Sequence, residues 1–166
     1  MDKGQKKKTA QDIQWHPAFI SAMNLELAAD REKLVFEREY NLNTKPLEID
    51  LLIIKKEKEA RIQNEIGYFF REYNILEYKA PGDHLDIDVY YKAVAYGCLY
   101  KSYAKTVDGR KAEEVTVSLL RDGKPQGMLE YFQRAGTVIV NPYKGIYYLS
   151  GNEVLFPTQV IVLREL

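Results

Sequence analysis

Two short stretches decide the fold: Glu48-Ile49-Asp50-Leu51-Leu52-Ile53-Ile54-Lys55 and Asn74-Ile75-Leu76-Glu77-Tyr78-Lys79. The first is apolar from Ile49 to Ile54 except for Asp50. A run of that kind is buried on both faces and belongs inside a covered sheet. The second is a strand stopped by Ala80-Pro81-Gly82-Asp83. Its alternation places Glu77 and Lys79 on one face and Tyr78 on the other.

Outward from these, Leu34–Leu42 reads as a preceding strand, closed by the turn Asn43-Thr44-Lys45-Pro46. Strands at 34–42, 48–55 and 74–79 then form an antiparallel meander. In such a meander the start of one strand lies beside the end of its neighbour, so Asp50 is expected beside Glu77. A charged stretch, Lys56–Arg61, leads into a short helix reaching about Arg71.

Helices are expected on both faces of this sheet. The first starts at His16-Pro17, because proline suits the opening helical position, and runs to about Ala29. Phe19, Ile20, Met23 and Leu27 form its apolar stripe, and Glu26 lies on or beside it. The second spans Asp86 to about Lys105, with Ile87, Tyr91, Val94 and Cys98 facing inward. It carries the chain to a parallel fourth strand, Val115–Arg121. Beyond, 126–134 reads as a helix and 137–140, 145–149 and 158–163 as strands, with a hairpin turn at Ser150-Gly151-Asn152. The domain reading is a polar arm over 1–11 and one α/β domain over 12–166. That domain has its core at about 12–121 and a β-rich extension at about 126–166. The chain stops soon after the apolar run Val160–Leu163, so a longer parent protein is expected.

Composition narrows the function. The 166 residues carry 24 basic and 24 acidic side chains, a formal net charge of zero. That excludes a nonspecific nucleic-acid coat, which would be strongly basic, but leaves room for a local basic groove. The lone Cys98 rules out an internal disulfide and a cysteine zinc site, and its apolar neighbours predict a buried thiol. No apolar run is long enough to span a bilayer and no secretory signal opens the chain, so the expected location is the cytoplasm. No phosphate-cradling glycine loop is present, and His16 and His84 have no partnering nucleophile.

Two carboxylates and an ammonium at one sheet edge suit phosphodiester chemistry. Mg2+ takes oxygen ligands from one or two carboxylates and keeps waters and substrate phosphate besides. Glu48, on the face of Asp50, is a rival ligand. Asp50 followed by Glu77-Tyr78-Lys79 resembles the PD-(D/E)xK signature of the restriction-endonuclease-like superfamily, with Ile49 where the named motif has proline. The wider text Ile75–Pro81 and the tyrosine-rich helix after it resemble a bacterial group of nuclease-like proteins.

The resemblance covers about residues 12–121. It implies a restriction-endonuclease-like α/β core and metal-dependent cleavage of DNA. It further implies Mg2+ or Mn2+ held by Asp50 and Glu77, with Glu26 as an extra ligand, and Lys79 serving the attacking water. Tyr90, Lys92 and Tyr96 fall where related folds place substrate contacts, though sheet packing explains the tyrosines equally. Nucleic acid is the implied partner, and by analogy a homodimer is allowed. The alternative is a catalytically silent nuclease-like fold that binds nucleic acid or protein.

Overall fold

The computed structural model describes residues 15–37 and 51–166. The polar arm, the second half of the first strand, the turn at 43–46, Glu48 and Asp50 lie outside the described residues.

The order of elements is α1 (Trp15–Glu26), β1 (Leu34–Glu37), β2 (Leu51–Lys56), α2 (Glu65–Tyr68), β3 (Tyr73–Lys79), α3 (Ile87–Ser102), β4 (Val115–Arg121), α4 (Gln126–Arg134), β5 (Val138–Tyr143), β6 (Ile146–Ser150) and β7 (Thr158–Val162). The chain is mixed α/β, and its seven strands form one mixed sheet in the order β1-β2-β3-β4-β7-β6-β5. β1, β2 and β3 are the expected antiparallel meander, with Leu51 opposite Glu77. α3 then returns the chain so that β4 runs parallel to β3. β7 enters on the other side of β4, also parallel, and β6 and β5 continue antiparallel to the outer edge. The C-terminal strands therefore widen the sheet.

β4 lies at the centre of the sheet, with a neighbour on each side and every residue from Val115 to Leu120 buried. Val115, Val117 and Leu119 point one way, with Ile53, Ile75 and Val160, into a layer closed by α3 and α4. Leu120 points the other way, with Leu52, Ile54, Leu76 and Ile161, onto Phe19, Ile20, Met23 and Leu27 from α1 and its C-terminal end. Full burial of one such aliphatic or aromatic side chain contributes about 1.5–3 kcal/mol. The two layers hold the strand ends at fixed heights.

Three sequence expectations need correction. α1 stops at Glu26, and Ala28–Lys33 continues as a tighter 3-10 turn. The inward face of α3 is Tyr90, Ala93, Tyr96, Gly97 and Tyr100. The expected stripe is displaced: Tyr91 and Cys98 are exposed. The tyrosine rings fill more of the layer than Ile87 or Val94 could. Gly97 lets the helix approach closely, since a Cβ there would meet Phe156 Cε2 at 2.7 Å. Finally, the tight hairpin turn falls between β5 and β6 at Lys144-Gly145, where Gly145 adopts a φ of +73°. Ser150-Gly151-Asn152 opens a longer connection from β6 to β7.

A buried polar knot fixes β3 against both neighbours. Asn74 Nδ2 donates to the carbonyls of Ile54 and Arg71, while Asn74 Oδ1 accepts from Arg71 N–H and from Thr116 Oγ1 at 2.7 Å. All four bonds lie three residues upstream of Glu77. Replacing Asn74 with Ala would leave buried partners unsatisfied and should cost roughly 2–3 kcal/mol. Urea denaturation of N74A checks this; a loss below about 0.5 kcal/mol would mean water takes over the bonds.

Candidate functional site

The site is built at the C-terminal ends of the parallel strands. Residues in register on parallel neighbours share a face, and Glu77 pairs with Leu119 while Lys79 pairs with Arg121. Leu119 belongs to the α3 layer. Glu77, Lys79 and Arg121 therefore emerge together on the face covered by α3. Tyr78 takes the opposite face and stacks on Phe19 with ring centroids 4.9 Å apart and planes 6° from parallel.

Glu77 is only 2% exposed, yet its Oε1 lies 3.0 Å from Lys79 Nζ. Lys79 is itself largely buried, its side chain 19% exposed. A buried carboxylate without a cation would be costly, and the ammonium two residues along the strand supplies the counter-charge. β-strand periodicity makes this pairing automatic, because alternate residues stand side by side on one face.

α3 brings two of the other candidates to this pair. Tyr96 is buried between helix and sheet; burial raises its hydroxyl pKa, the Glu77 charge raises it further, and Lys79 opposes them. Lys92 is exposed, with its Nζ 5.8 Å from the centre of the Tyr96 ring. Tyr90 is different. It is 1% exposed, its hydroxyl donates to the Glu153 carbonyl, and burial pushes it up to about 12. It packs edge-on against Phe132 at 4.8 Å. Tyr90 thus belongs to the core, as the packing alternative held for it, and does not line an accessible substrate surface.

Glu26 does not join the site. It sits at the end of α1 and its Oε1 accepts from Asn64 Nδ2 at 2.7 Å. It lines an apolar groove with Phe19, Met23, Ile66 and Tyr78, on the face of the sheet opposite Glu77. The expectation that α1 carries an extra metal ligand is therefore corrected: α1 covers the Tyr78 face. Asp50 and its rival Glu48 lie outside the described residues; Leu51, which follows Asp50, is the β2 partner of Glu77. Among the described residues no group of three or more His, Cys, Asp or Glu side chains could hold a metal ion. Glu77 carries the carboxylate oxygens that a hard cation could use at this edge, and Asp50 is the other acid expected there.

Two features escaped the sequence reading. Asp30 is as buried as Glu77, but its oxygens accept from Lys33 Nζ and Gln63 N–H, so its role is to tie the 3-10 turn to the segment before α2. Arg121 stands beside Lys79 at the same edge. It looks in sequence like a strand-ending charge, and only the parallel pairing of β3 with β4 reveals its neighbour.

Compared with protein-family models, curated proteins and solved structures, the chain matches none. No described helix is long and apolar enough to cross a membrane.

The ion pair can be measured. In a double-mutant cycle of E77Q and K79M, followed by urea denaturation at neutral pH, the coupling should be on the order of 1–3 kcal/mol. K79M alone should destabilise more than an exposed lysine replacement, because it removes the positive charge beside the buried Glu77. A coupling near zero would show that the two groups do not interact in solution.

Proposed function

We propose that the chain is a metal-dependent nuclease that hydrolyses phosphodiester bonds of DNA, on a restriction-endonuclease-like core spanning about residues 12–121. The observation that carries this reading is the buried Glu77–Lys79 pair at the C-terminal end of β3, where β2 begins opposite it. The arrangement agrees with the Glu-x-Lys half of the PD-(D/E)xK pattern. The helix, three-strand meander, helix and parallel strand agree with its core.

Asp50 and Glu77 are the residues that would hold Mg2+ or Mn2+. Carboxylate oxygen is the donor type such ions prefer. When bound, the ion would lower the pKa of a water and offset the charge that builds on phosphorus. The protein's own groups do the rest. Lys79 balances Glu77 in the resting site and, with substrate present, points an N–H at the attacking water or a non-bridging oxygen. Water oxygen bonds to phosphorus as the bond to the leaving oxygen breaks, and a proton passes to that leaving oxygen. Burial of Glu77 and Tyr96 keeps bulk water from screening these charges. Lys92, on the exposed flank of α3, offers a cation to the approaching strand.

A second reading, the catalytically silent binding module, is favoured by one observation. Glu26, expected as a further acid of the site, is instead hydrogen-bonded to Asn64 on the opposite face of the sheet.

Purified protein with Mg2+ or Mn2+ should nick or degrade DNA, and chelator should stop it. E77A should reduce cleavage by at least about a hundredfold, and K79A should do likewise. Gel assays of plasmid and labelled oligonucleotide check this. Equal metal-dependent cleavage by E77A and wild type would refute the assignment, and no cleavage with any metal would leave the binding module in its place.

A further inference from the structure

Next to the Glu77–Lys79 pair lies a cleft of about 410 Å³. That falls within the size range of pockets that enclose small ligands. It opens at the C-terminal ends of β3 and β4, between the loop after β3 and helix α4. This is where ligands enter open α/β sheets. His84, Asp86, Arg121, Gln126, Tyr131 and Arg134 are among its walls.

Two of the cleft's side chains, Arg121 and Arg134, are cationic donors, and His84, Gln126 and Tyr131 can each donate or accept. The cleft's carboxylate, Asp86, already accepts from the backbone N–H groups of Asp88 and Val89 as the cap of α3. Arg121 Nε is buried and, among the described residues, has no hydrogen-bond partner. Among the described residues neither Arg121 nor Arg134 forms an ion pair, and the carboxylate next along the chain, Asp122, is taken by Arg164. α4 is preceded by Pro125 at its N-cap, with no side-chain cap, so the positive end of that helix also faces this region. A partly desolvated guanidinium lacking an acceptor is costly unless an anion completes it.

The geometry points to a phosphate-binding cleft, made by His84, Arg121 and Arg134, that holds the backbone of a nucleic-acid strand beside the cleavage position. The identity of the ligand rests on the nuclease reading; the demand for an anion does not. Arg121 and Lys79 are register partners on adjacent strands, whose spacing is about 4.8 Å. A phosphate held at Lys79 is thereby within reach of the Arg121 guanidinium. A planar guanidinium can grip that phosphate through two N–H donors, which a lysine cannot do. The cleft fixes where the strand lies and leaves the chemistry to Glu77 and Lys79.

The test separates binding from cleavage by working in chelator, where no metal-dependent reaction occurs. Fluorescence anisotropy of a labelled single-stranded DNA should show wild-type binding that R121Q and R134Q each weaken roughly three- to tenfold. In each variant one phosphate is no longer neutralised, so the slope of log affinity against log salt should flatten by about 0.7. Thermal melting accompanies both variants; Arg134 is exposed, so R134Q decides the matter if R121Q disturbs the fold. Unchanged affinity in the folded variants, or no binding by wild type, overturns the cleft. Binding that depends on the arginines with no cleavage under any metal overturns the nuclease reading and leaves the cleft standing.

Discussion

A carboxylate placed at the end of a strand inside an apolar sheet needs a positive charge at its side, and this requirement shapes the whole edge of the molecule. Glu77 sits between Leu76 and Tyr78, whose side chains anchor on the α1 face. It has no freedom to turn outward without pulling β3 from its neighbours. Lys79 answers the charge from two residues on along the strand, on the same face. The Asn74 knot holds the strand against β2 and β4. The pair is thereby a fixed feature of the sheet and not an adaptable surface bridge.

Topology does the rest. Because α3 makes β4 parallel to β3, and β7 parallel to β4, three strands end on one edge, at Lys79, Arg121 and Val162. The loops after β3 and β4 open there, and so does the start of α4. Acid, ammonium and guanidinium groups far apart in sequence meet because of strand direction. Had β4 run antiparallel to β3, Arg121 would lie at the other end of the sheet. The apolar layers beneath the edge supply rigidity, and the polar groups stand on it.

Much of this was legible in the sequence. The apolar run Ile49–Ile54, broken only by Asp50, the punctuation after β3 and the long helix that follows it pointed to the meander and to the crossover into a parallel β4. Glu77 and Lys79 could be placed on one face from alternation alone. The displaced stripe of α3 was not legible, because four tyrosines and a glycine satisfy more than one helical face. Only the ring volumes and the close approach at Gly97 decide between them. Glu26 misled for a related reason: helical spacing placed it near the stripe of α1 but could not say which side of the sheet α1 would cover. Arg121 was missed because a charge at the end of a strand carries no sign of what lies beside it. The joining of β5, β6 and β7 to the same sheet depends on long-range pairing that no local pattern encodes.

The claim on which the account turns is that a divalent cation binds where Glu77 meets the start of β2. Paramagnetic Mn2+ reports this position directly. In amide-resolved NMR of wild-type protein, substoichiometric Mn2+ should first broaden the signals of Leu51, Glu77, Tyr78 and Lys79. Leu119 lies across the β3–β4 pairing from Glu77 and should follow. The broadening should vanish in E77A. Broadening spread evenly over the acidic surface, or centred on another carboxylate such as Asp108, would contradict it.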